Sequence, residues 1–130
     1  MIDMGGVVNV SVVKLAERCN PFESHCWCDL KSPITRDEVQ HCIDDQTYLI
    51  PNPDPDSIVS GRQNHMRLIA WFVEHGWVDP IGVDVGIPGL CHVNWLIQDG
   101  NHRFAAAIFR GDITIAAGMQ GSVKEIQSFV

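Results

Sequence analysis

One stretch constrains this chain more than any other: Trp95-Leu96-Ile97-Gln98-Asp99-Gly100-Asn101-His102-Arg103-Phe104-Ala105-Ala106-Ala107. Its first four residues are strand-like. Asp99-Gly100 then permits a sharp turn. Asn101 is a helix-capping residue type, and the apolar run behind it continues as a helix. A strand must therefore reverse into a helix within about two residues, which demands a layered contact between helix and sheet. The three alanines let that helix approach closely, so the spacing predicts tight packing on the sheet and a rigid turn.

The first turn of this helix breaks a local rule. A helix N-terminus has free N–H groups and a partial positive charge, so acidic residues belong there. Here His102 and Arg103 follow the cap. Two readings resolve the conflict. In one, an anion such as a phosphate sits between the free N–H groups and the two side chains. In the other, Arg103 pairs with a nearby carboxylate and His102 is a polar surface residue. The first implies that Arg103→Ala spares the fold and weakens a ligand. It also implies that His102 acquires charge below about pH 6.5.

Elsewhere the patterns alternate between strand and helix. Residues 7–15 are Val-rich with partial two-residue alternation and read as a strand, ended by Asn20-Pro21. Thr35-Arg36-Asp37-Glu38 is a capping box, and Val39, Cys42 and Ile43 continue a helix over 36–46. The proline-rich residues 51–56 make an exposed loop. Arg62 to His75 reads as a helix with Met66, Ile69, Ala70 and Val73 on one stripe and Gly76 beyond its end. Residues 81–85 and 93–98 read as paired strands, with Gly86-Ile87-Pro88-Gly89 supplying turn residues. Asn101 to Arg110 is a second apolar helix closed by Gly111, and 113–117 is a last strand. Ser122-Val123-Lys124-Glu125 forms another capping box. The fold class is α+β, a small mixed β-sheet flanked by helices. At 130 residues, 45% of them apolar, the chain is expected to be one domain that needs no metal or disulfide staple.

Charge excludes one class of partner. Nine Lys and Arg face sixteen Asp and Glu, a formal charge of −7, so gripping long nucleic acid by charge is not expected. A small anion needs only a few local cations. No apolar run approaches the ~18 residues of a membrane span, and the first residues do not resemble a signal peptide, so no membrane partner and a cytoplasmic location are expected. Five cysteines without an export signal read as reduced thiols. Cys19, His25, Cys26, Cys28, His41 and Cys42 include zinc-ligand types. Their spacing is poor, however, and His41 and Cys42 are helix neighbours that point apart, so buried thiols are the better reading. Trp71, Trp77 and Trp95 read as core residues, and Trp27, in an irregular loop, as a contact residue.

Gly100-Asn101-His102-Arg103-Phe104-Ala105-Ala106 resembles the signature of the ParB/sulfiredoxin-like (ParB N-terminal domain-like) family. Residues 10–22 ending in Asn20-Pro21, the helix Arg62–His75 with Gly76 and Asp79-Pro80-Ile81, and the strand 113–117 follow the family's order. Residues 23–60 are an atypical insert. The resemblance implies a nucleotide site in which Gly100, Asn101, His102 and Arg103 hold the phosphates, commonly with Mg²⁺. Arg67 or Arg62 would reach the same phosphates, and Asn64 and His65 would line the cleft. Asp99 would hold the metal or act as a base, beside His102 as the second catalytic candidate; a turn aspartate bonded to its own backbone is the plainer role.

Departures from the family narrow the activity. Asn101 stands where sulfiredoxins carry their catalytic cysteine. Partitioning members have glutamate there and add a DNA-reading domain for which this chain has no room. Asp99-Gly100-Asn101-His102-Arg103 is closest to the serine-kinase members, whose chains are longer. The expectation is a nucleotide-binding domain, with ATP or another nucleotide as ligand and Mg²⁺-dependent ATP hydrolysis or phosphoryl transfer as its chemistry. The alternative is a non-enzymatic interaction protein or inhibitor from a mobile element, an acidic regulator of a nucleic-acid enzyme. Likeness of fold does not choose between them.

Overall fold

The first long strand stops earlier than its valines suggest. In the computed structural model, which describes residues 2, 3, 6–24, 26–54 and 58–130, strand β1 (Ile2–Asp3) is followed by β2 (Val7–Ser11) and then directly by helix α1 (Val12–Arg18). Ser11 makes the switch. Its hydroxyl accepts the Lys14 N–H at 3.2 Å, a helix N-cap, and Val12 and Leu15 are then buried at helical spacing. The strand expected over 7–15 is thus corrected at its second half.

Local cap chemistry sets the next two helices where the sequence places them. Helix α2 (Arg36–Asp45) opens on a closed capping box: Glu38 N–H donates to Thr35 Oγ1 at 3.2 Å and Thr35 N–H to Glu38 Oε1 at 3.0 Å. Helix α3 (Arg62–His75) ends as Gly76 N–H donates to the Phe72 carbonyl at 2.8 Å. Its buried residues are His65, Leu68, Ile69 and Ala70, so the stripe is rotated from the expected one; Met66 and Val73 flank it, half-buried.

The remaining elements are β3 (Ile81–Asp84), β4 (Ile97–Asp99), α4 (Asn101–Arg110), β5 (Thr114–Ser122) and α5 (Val123–Gln127). Residues 93–96 are not strand, and the last strand is longer than 113–117. Ser122 occupies the N-cap position of α5, but its side chain makes no cap bond, so the second box does not close. β5 is the centre of the sheet. It pairs antiparallel with β2 in register Val10↔Ile115, antiparallel with β1 at Ile2↔Ser122, and parallel with β3 at Ile81↔Ala117. β3 and β4 pair antiparallel, with a bulge between Gly82 and Val83. The sheet is mixed and small, as the α+β class requires.

Helix α4 is buried on two sides. Phe104 and Ala107 join the sheet core with Leu15, Ile81, Ile97 and Ile115. Ala105 and Ala106 instead enter a second core with Trp27, Ile34, Val39 and Ile69, between α4, α3 and the segment 23–60. The small side chains therefore serve helix–helix approach as much as helix–sheet approach, which corrects the expectation that all three face the sheet. That second core also takes in side chains of the segment 23–60. Arg62 ties this segment to α3, donating to Glu38 Oε2 at 2.6 Å and to the Pro33 carbonyl at 2.7 Å. Among the described residues no helix is long and apolar enough to cross a membrane. All five thiols are free.

Candidate functional site

The turn into α4 is a glycine-only turn. Gly100 has φ +100°, and a Cβ there would lie 2.5 Å from Ile81 Cγ2. Gly100, not Asn101, occupies the N-cap position, and Asn101 is the first helical residue. The Asn101 side chain is occupied elsewhere: its Oδ1 accepts the Trp95 indole N–H at 2.8 Å. Among the described residues no side chain caps this first turn, so the N–H groups of Asn101, His102 and Arg103 remain available to a ligand or solvent.

Arg103 is anchored. Its Nη1 donates to the carbonyls of Asp79 at 2.8 Å and Pro80 at 3.2 Å, and Nη2 to Asp99 Oδ2 at 3.2 Å. Only 12% of its side chain is exposed, against 80% for Asp99. The guanidinium thus fastens α4 to the entry of β3 and the end of β4, which is the ion-pair geometry of the second sequence reading. Two of its five N–H donors remain outside these bonds.

His102 is neutral at ordinary pH. Burial first, then the repulsion that His65 and Arg103 exert on a second positive charge beside them, pushes its imidazole down to about 3 and replaces the expected protonation near 6.5. Its Nε2 lies 2.9 Å from Nδ1 of His65, which is buried on α3. Nε2 of His65 lies 2.9 Å from Asp29 Oδ1. Asp29 also accepts the Gly61 N–H at 2.7 Å. That backbone bond first, and the His65 bond second, hold its carboxyl below the usual range. Trp27 covers both imidazoles, with ring centroids 4.8 Å from His65 and 4.6 Å from His102. Trp27 is therefore a buried residue of the second core rather than the contact residue expected of an irregular loop, and among the described residues its indole N–H has no hydrogen-bond partner.

A cleft of about 840 Å³ opens beside this group. Asp99, Gly100, His102 and Arg103 line it from the α4 turn and Trp71, Phe72, His75 and Trp77 from the end of α3 and just beyond, together with residues 51–54. Trp71 and His75 are stacked at 4.5 Å. Four of the residues expected at the site thus share one cavity, while Asn101 and Arg67 do not line it. Arg62 is held by Glu38, and Asn64 donates to the Ser60 carbonyl at 2.9 Å. Sequence reasoning missed Asp29 altogether. His65 carried a readable signal, because it stands three, four and seven positions before Leu68, Ile69 and Phe72 on the apolar stripe.

No group of three His, Cys, Asp or Glu among the described residues could hold a metal ion. His25 of the cysteine-rich segment lies outside those residues, and burial pushes the Cys19 and Cys26 thiols up to about 12. Asp99 offers one carboxylate, already shared with Arg103. A Mg²⁺ there would have to take its other ligands from phosphate and water. Comparison with protein-family profiles, curated proteins and solved structures finds no match to this chain.

Proposed function

We propose that the cleft at the start of α4 binds a small molecule of the nucleotide class. Its phosphates would lie on the free N–H groups of His102 and Arg103, and its base against Trp71. One observation carries this reading: an uncapped helix N-terminus and aromatic side chains share a single cleft of about 840 Å³. That size suits a nucleotide-sized ligand, and the two kinds of lining suit its two chemically different ends. Arg103 contributes field more than a dedicated clamp, because Asp99 and two carbonyls hold it. With a chain charge of −7, affinity should be greater for the Mg²⁺ complex than for the bare anion, and the reading suits a protein of the cytoplasm, where both are at hand.

Calorimetry with ATP, CTP, ADP and inorganic phosphate, each with and without Mg²⁺, tests the proposal. A ligand at about one hundred times its Kd should also raise stability by ~2.7 kcal/mol. Heat and a stability shift with at least one nucleotide support the assignment. If all four ligands give neither, the nucleotide reading fails and the acidic interaction protein takes its place.

A further inference from the structure

Anion binding at a helix N-terminus does not need what lies behind this one. Three side chains from three separate parts of the chain stand in line: Asp29 from the segment ahead of α2, His65 from α3 and His102 from α4, with 2.9 Å at each junction. Proton positions along the line follow from Asp29. An ionised carboxylate only accepts, so His65 carries its proton on Nε2 and, when neutral, presents Nδ1 as an acceptor. His102 must then donate from Nε2. Its Nδ1 is left with a free lone pair and no protein partner among the described residues, on a ring that borders the cleft.

We infer that Asp29, His65 and His102 form a proton relay that makes the cleft hydrolytic, with His102 as the catalytic base that activates water against a phosphate ester or anhydride. The inference rests on the nucleotide-class reading for its substrate. In the step, water gives a proton to His102 Nδ1 while the Nε2 proton of His102 passes to His65 Nδ1. The positive charge comes to rest on His65, against Asp29. The water oxygen forms its bond to phosphorus as the bond from phosphorus to the leaving oxygen breaks. The relay then runs backwards and protonates the leaving group, which restores all three side chains. One water is consumed, and no redox partner is needed.

Two further features favour a relay over a static network. His102 never holds two protons for longer than the transfer, which agrees with surroundings that oppose its charge: burial, His65 across the line and Arg103 on its own helix. Asp29 alone among the nearby groups favours that charge, while Asp99, Asp79 and His75 face the cleft side. Trp27 covers both rings, so the proton moves along the line and not into solvent. His65 and Asp29 are positioning residues that act through His102.

Phosphate release from Mg·ATP and Mg·CTP is the kinetic test. Asp29→Asn is the first variant, because the Asp29 side chain is 37% exposed and the change preserves its size. It should lower kcat about tenfold or more, leave KM within about twofold, and move the acidic limb of the rate profile to lower pH, since the relay then binds its proton more weakly. His102→Ala should lower kcat by ~10²–10⁴. An unchanged kcat and pH profile in Asp29→Asn overturns the inference, as does a nucleotide that binds without being cleaved.

Nitrogen-15 imidazole spectra of the ligand-free protein give a second readout. At neutral pH His102 should be protonated on Nε2 and bare on Nδ1. The opposite tautomer of His102 overturns the relay even if nucleotides bind. The expected tautomers without any nucleotide binding uphold the relay and overturn only the nucleotide reading.

Discussion

Trp27 and Arg103 show how far a single side chain can depart from what its neighbours in sequence suggest. Trp27 sits between Cys26 and Cys28 in an irregular segment, yet it is 5% exposed and packs on both imidazoles and on the second core. Trp27→Ala should cost ~3–5 kcal/mol, the cost of a large core truncation, read from the urea midpoint. Arg103 was expected to be dispensable for folding, as a cation at the wrong end of a helix. Its bonds to the Asp79 and Pro80 carbonyls and to Asp99 reverse that expectation. Arg103→Ala should lower stability by ~1.5–3 kcal/mol, because charge-assisted bonds across a nearly buried guanidinium are lost. Chemical denaturation measures this, and calorimetry on the same variant separates any loss of ligand from loss of fold. The conflict with the helix dipole was legible in the sequence. Its resolution was not, because Asp79 is 24 residues away.

At the scale of elements, legibility followed the range of the interaction. The Thr35 box and the Gly76 cap act within four residues, and both stand where the sequence places them. Ser122 has the same residue pattern but makes no cap bond, so pattern alone does not guarantee the geometry. The α4 turn depends on Gly100, whose φ of +100° and contact with Ile81 exclude a side chain. Gly100→Ala should cost ~1–3 kcal/mol from backbone strain, and more from the clash with Ile81. It should also displace the free N–H groups of the first turn. Thermal unfolding would show the first effect, and weakened nucleotide binding at a temperature where the variant stays folded would show the second. A variant with unchanged Tm would contradict the turn geometry.

For the whole molecule the test is acid. The folded protein resists protonation of His102 down to about 3, whereas an unfolded chain takes that proton near 6.5. Between these values the unfolded state binds more protons, so stability is fully present above about pH 6.5 and is lost as pH falls towards 3. The slope should reach at most ~1.4 kcal/mol per pH unit. Asp29 and Glu38, both held below the usual carboxylate range, add losses of the same sign at the acidic end. His102→Gln should flatten the profile between about pH 4.5 and 6.5, measured by urea denaturation across pH. An unchanged profile would show that His102 is not shielded as described.

The sequence by itself determined the α+β class, most of the helix ends and the strand–turn–helix at residues 99–103, because periodicity, glycine and cap residues act on their near neighbours. Only the tertiary structure decided that α4 is packed on two sides, that Arg103 is an anchor, and that Asp29 and Trp27, from the segment ahead of α2, meet the histidines of α3 and α4. Those contacts join residues 24 to 75 positions apart, and no local pattern encodes a hydrogen bond across such a distance.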